Sequence, residues 1–150
     1  MLVYRLPRTP STPRISLWRK LRRLGVAQIV DGVVALPATA DTRERLEWLA
    51  DDVVQADGEA TIWLAEPATA AEHRRLAATM EARVDEEYRT ITTEAQATIG
   101  RPPAERQRTL ARLRRELRRV GARQYFPTRE AQIAREAVEA LANTAAGAAA

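Results

Sequence analysis

Ala27-Gln28-Ile29-Val30-Asp31-Gly32-Val33-Val34-Ala35-Leu36-Pro37 organises the first half of this chain. Two β-branched runs, Ala27–Val30 and Val33–Leu36, flank an Asp-Gly pair. Asp-Gly between apolar runs is a strong hairpin signal, because the turn residues of a tight hairpin must tolerate positive φ. Pro37 stops the second run, since proline cannot donate to a strand ladder. Residues 27–36 therefore predict an antiparallel strand pair.

Working backwards, Leu2-Val3-Tyr4-Arg5-Leu6 is a β-prone run ended by Pro7, and three prolines make Pro7–Pro13 a loop. Ser11 or Thr12 can cap a helix with Pro13 in its first turn and Gly25 as its stop. Leu17, Trp18, Leu21 and Leu24 make one apolar stripe on that helix. Working forwards, a helix over about Asp41–Ala56 turns Leu46, Leu49, Ala50, Val53 and Val54 inward. Asp57-Gly58 closes it, and Ala60–Ala65 is a fourth strand. The order β-α-β-β-α-β matches the split βαβ, ferredoxin-like pattern, with both helices on one face of a four-stranded antiparallel sheet.

Beyond residue 66 the pattern is helical. Thr69–Ile99 carries Leu76, Met80, Val84, Tyr88, Ile91 and Ala95 at helical spacing. Gly100-Arg101-Pro102-Pro103 breaks it. Ala104–Val120 shows a narrow seam of Leu110, Leu113, Leu117 and Val120, suited to a partner helix. Pro127 and Thr128 open a last helix to about Leu141, with Ala134, Ala137, Val138 and Leu141 on one side; Asn143–Ala150 is expected to fray. The expectation is an α+β chain with a ferredoxin-like core at 1–66 and a helical extension at 67–150 packed on it as one compact unit.

Charge is separated along this framework. Residues 101–123 carry nine arginines against Glu105 and Glu116, a local +7 in a chain of net +4. The rest therefore sums to −3. Arg108, Arg112, Arg115 and Arg119 share one face of their helix, with Arg114 and Arg118 beside it. Arg14, Arg19, Lys20, Arg22 and Arg23 make the first helix a second basic patch of +5. Duplex DNA presents one charge per ~1.7 Å of axis, so such a helix side could meet several phosphates. The alternative reading is internal ion pairing, with Asp85-Glu86-Glu87 as a ready partner for the arginine helix. Trp18 and Trp63 read as core residues. Trp48 lies off the inward face of its helix, and an exposed tryptophan there marks an interface.

Six segments resemble one family. They are Leu2–Pro7, Trp18–Gly25, Gln28–Val33 through Leu36-Pro37, Gly58–Thr61, Asp85–Tyr88 and Gln124–Phe126. In this order they resemble the N-terminal domain of the chromate-resistance regulator ChrB, across essentially the whole chain. The resemblance implies a ferredoxin-like core with a helical extension and a role in transcriptional control of chromate resistance. The core is similar too to the middle domain of PaaX-type repressors and to small CRISPR-adaptation nucleases. ChrB-like proteins continue into a second domain implicated in the chromate response, so a separate chromate-sensing domain or protein is expected. PaaX-type proteins place a winged helix-turn-helix ahead of this domain, and here a strand begins at Leu2.

Catalytic readings find little support in the residues. There is no cysteine, His73 is the sole histidine, and the six glycines form no phosphate-cradling loop. A metal-dependent nuclease of the ferredoxin-like kind needs a carboxylate near the end of the first strand, where Arg5, Leu6 and Pro7 stand. The sequence-based expectation is a non-catalytic, cytoplasmic DNA-binding regulator without cofactor or metal. It would form a homodimer, since palindromic sites demand one. The phosphate contacts fall to Arg14, Arg19, Lys20, Arg22, Arg23, Arg108, Arg112, Arg115 and Arg119, and the interface to Trp48. A non-catalytic protein-interaction module is the alternative, and a nuclease the third. No secretory signal or membrane span is visible, as no apolar run approaches the ~20 residues of a spanning helix.

Overall fold

A computed structural model describes residues 1–147. It is a mixed α+β structure with one four-stranded antiparallel sheet and five helices among the described residues. The elements are β1 (Leu2–Arg5), α1 (Thr12–Leu24), β2 (Ala27–Val30), β3 (Val33–Ala35), α2 (Ala40–Gln55), β4 (Glu59–Ile62), α3 (Ala70–Thr98), α4 (Pro103–Gly121) and α5 (Arg129–Gly147). Two compact units result, Met1–Met80 and a second beginning at Glu81. The division falls inside α3, where the expected boundary lay at 66/67.

In the first unit the strand order is β2-β3-β1-β4. Each helical connection spans one strand: α1 carries the chain from β1 past β3 to β2, and α2 carries it from β3 past β1 to β4. Leu2 sits in the centre, opposite both Val34 and Ile62, and is fully buried. The helices cover it because α1 turns Leu17 and Leu21 inward, while α2 turns Leu46, Leu49 and Val53 inward. Val54 departs from the expected inward set and is exposed. It stands ~100° around the helix from Val53, given about 3.6 residues per turn.

The hairpin turn departs from the expected form. Only Gly32 takes positive φ, at 75°; Asp31 does not. Gly32 also accepts a 2.7 Å hydrogen bond from the Tyr4 amide, and a Cβ there would lie 2.4 Å from the Tyr4 carbonyl oxygen. Glycine is thus needed for close approach of β1 as well as for the turn. A register shift between Gln28 and Val30 inserts one extra residue in β2, which breaks the strand's alternation and leaves Ile29 and Val30 exposed.

Helix ends follow local chemistry. Gly25, in the left-handed region, closes α1, but the Ser11 side chain makes no capping hydrogen bond. Thr39 and Thr42 close a reciprocal capping box on α2. Thr69 and Glu72 do the same for α3. The Thr128 hydroxyl accepts from the Ala131 amide at the start of α5.

The second unit buries one cluster of side chains from α3, α4 and α5. It includes Tyr88, Ile91, Ala95, Leu110, Leu113, Val120, Ala134, Val138 and Leu141. Leu76, the first of the helically spaced apolar residues of α3, is half-buried in the first unit. The last helix outruns its expected end at Leu141 and continues to Gly147, because Ala145 is buried on the same side as Leu141 and Val138. Fraying was expected from Asn143; its part at Ala148–Ala150 lies outside the described residues.

Candidate nucleic-acid interface

α4 owes its two faces to sequence spacing. Pro103 starts it at a position where a missing amide costs nothing. Leu110, Leu113 and Val120 are buried, and Leu117 packs against the same cluster. Arg108, Arg114, Arg115, Arg118 and Arg119 are left exposed on the other sides.

These arginines differ in what they already hold. The Arg112 guanidinium donates to the Glu94 carboxylate on α3, and both side chains stay about two-fifths exposed. That hydrogen bond raises the Arg112 pKa further; desolvation opposes it, and the charges of Glu94 and Glu116 add to the rise. Arg119 pairs with Glu116 one turn back on its own helix at 2.9 Å and remains well exposed. Arg123, only 12% exposed, donates to Glu87. Arg108 bonds the Ala104 carbonyl at 3.3 Å. Among the described residues, Arg108, Arg114, Arg115 and Arg118 have no carboxylate within ion-pair distance.

Internal ion pairing therefore engages some of these arginines and leaves others without a carboxylate among the described residues. Two of the four arginines on the expected phosphate face, Arg112 and Arg119, are engaged by carboxylates. Arg114 and Arg118, placed only beside that face, are unpaired. Of the acidic run proposed as partner, Glu87 takes Arg123 and Glu86 takes Arg89 at 3.3 Å. Glu94 is the partner that sequence reasoning missed. Glu94, nearer the end of α3, meets Arg112, nearer the start of α4, while the earlier Glu87 meets the later Arg123, as two antiparallel helices require.

The far end of α4 is pinned by polar contacts. The Tyr88 hydroxyl donates to Gln124 Oε1 at 2.7 Å, and Gln124 Nε2 donates to the Phe126 carbonyl at 2.9 Å. Burial pushes the Tyr88 hydroxyl pKa up; Arg135 and Arg123 oppose this, and Glu87 and Asp85 reinforce it.

The first-unit patch is built otherwise. Arg14, Arg19, Arg22 and Arg23 are exposed on α1, without carboxylate partners among the described residues. Lys20 is engaged, pairing with Asp52 of α2 at 2.5 Å. Trp18 is not core: it is 52% exposed, with the Arg22 guanidinium 4.8 Å from its ring centre. It follows Leu17 by one residue and so cannot share the inward face. Trp63 is likewise exposed: its backbone still pairs with Met1, but the alternation of β4 places its side chain on the exposed side with Glu59 and Thr61. Trp48 is 62% exposed, as its position off the inward face predicts.

A cleft of about 120 Å³ opens beside Lys20 and Asp52, well under the roughly 300–1,000 Å³ of ligand pockets. Among the described residues no three acidic or histidine side chains converge as metal ligands, and no helix is long and apolar enough to cross a membrane.

Fold and surface together define an α+β protein with a sheet-and-helix unit, a helical unit and arginines exposed on both. The chain belongs to the family described as "Protein ChrB, N-terminal", whose model matches residues 14–99. The match takes in α1 through α3 and leaves β1, α4 and α5 outside it. Two of the six resembling segments, Leu2–Pro7 and Gln124–Phe126, thus fall beyond the matched residues. Protein ChrB of Cupriavidus metallidurans is 36% identical over 64 residues, covering 43% of this chain and 19% of that relative. The aligned stretch is thus under a fifth of the relative's length. No solved structure matches the chain.

Proposed function

We propose that this chain acts in chromate resistance as a DNA-binding transcriptional regulator of the ChrB type, meeting phosphates through α4. One observation carries the reading: Arg108, Arg114, Arg115 and Arg118 are exposed on a single helix with no carboxylate partner among the described residues. Guanidinium groups offer forked donors that suit phosphate oxygens. No base-reading motif accompanies them, so phosphate contacts supply affinity and only modest sequence preference. The strand order and the two spanning connections support a ferredoxin-like assignment for the first unit. Family membership supports the chromate-resistance role, and a separate domain or protein would sense chromate.

The test is titration of labelled duplex DNA across a range of salt concentrations. Log affinity should fall with log salt at roughly −0.9 per phosphate contacted. The double variant Arg115→Ala/Arg118→Ala should make that slope shallower by about 2. Absence of binding at low salt overturns the reading. The proposed role is non-catalytic, so cleavage of the same duplex in magnesium or manganese would contradict it.

A further inference from the structure

The outer faces of α1 and α2 carry opposite charges that the chain itself does not bring together. On α1, Arg14, Arg19, Arg22 and Arg23 have no acidic partner among the described residues, and Ile15 and Trp18 are exposed between them. The Arg22 guanidinium rests over the Trp18 ring, which holds the indole at the surface. On α2, Glu44, Trp48 and Asp51 fall one helical turn apart on the side opposite Leu46, Leu49 and Val53. Among the described residues neither Glu44 nor Asp51 pairs with a cation, although Asp41, Glu47 and Asp52 all do. An exposed tryptophan thus stands between two free carboxylates, on the helix that packs beside the free arginines.

We propose that α1 and α2 form a self-complementary interface that joins two copies of this chain, the arginine-and-apolar face of α1 in each lying on the Glu44–Trp48–Asp51 stripe of α2 in the other. A two-fold axis makes each contact twice, which suits a surface bearing both signs of charge. The occupant is a second copy because one face supplies both halves of the complement. A nucleic acid would be repelled by Glu44 and Asp51. Exposed tryptophan and arginine are also the residues that anchor protein interfaces.

Charge exchange tests this without nucleic acid, so its outcome is independent of the DNA reading. Sedimentation of the wild-type chain should show a dimer that weakens as salt rises. Glu44→Arg/Asp51→Arg and Arg19→Glu/Arg22→Glu should each be monomeric alone. Mixed one to one they should form a heterodimer, since one interface contact then keeps its original signs and the other is restored with signs exchanged; the restoration also shows that both variants fold. Trp48→Ala should weaken the wild-type dimer about 30-fold, the scale of a hot-spot residue. A wild-type monomer at low salt, dimers that persist in both charge variants, or a mixture that stays monomeric would each overturn the proposal.

Discussion

α1 and α4 carry charge of the same sign and differ in what stands between the charges. On α4 the exposed side is arginine without large apolar residues, and two of its guanidinium groups are already held by carboxylates. On α1 the arginines are interleaved with Ile15 and Trp18. Every large hydrophobic side chain left exposed among the described residues lies in the first unit. Counting cations treats the two helices as equivalent. Their surroundings separate them, one offering charge alone and the other charge with desolvatable area.

The comparison breaks most completely if α4 loses its support. Leu113 is 1% exposed in the cluster beneath the ridge. Leu113→Ala should cost about 2–5 kcal/mol, read by denaturant unfolding, and should abolish DNA binding where the helix melts. Tyr88→Phe tests the pin beyond α4 more gently. Loss of its hydrogen bond to Gln124 should cost about 1 kcal/mol. Burial raises the folded pKa of Tyr88, so its contribution is fully present below the unfolded tyrosine value of about 10 and is lost as pH rises through the higher folded value. Stability of the wild type should therefore decline in that alkaline range, and Tyr88→Phe should flatten the decline.

Arg112→Ala sharpens the distinction within α4 itself. Its pair with Glu94 is partly exposed, so stability should change by less than about 1 kcal/mol. The salt slope should move less than for Arg115→Ala, which should shift it by about 0.9. Equal slopes for the two would mean that Glu94 does not compete with phosphate. The smallest effect belongs to the first unit: Trp48→Ala should alter unfolding of the monomer by no more than about 0.5 kcal/mol, so any larger change would place Trp48 in the fold and not at an interface.

Periodicity made most of the framework legible. β2 matches its expected bounds, and α1 ends at Gly25 because a left-handed stop favours glycine there. The leucine seam of α4 is buried as its spacing indicates. The failures share a physical origin. Trp18 and Val54 are large apolar residues one position away from an inward one, and hydrophobicity alone does not reveal a ~100° step around a helix. Trp63 is one residue past the half-buried Ile62 and so falls on the outer side of the strand, with Thr61 and Glu59. Ion pairing was legible only as an alternative, because sequence shows which acids are near in number and not which turn of α3 faces Arg112.

All three tryptophans of the chain, Trp18, Trp48 and Trp63, precede Met80 and are exposed. Intrinsic indole emission is therefore a private signal from the sheet-bearing unit, silent on the helices that follow. A neutral quencher such as acrylamide should reach all three in a lone molecule. Pairing through α1 and α2 should shield two and leave Trp63 open, so the quenchable fraction becomes a gauge of association that needs no label.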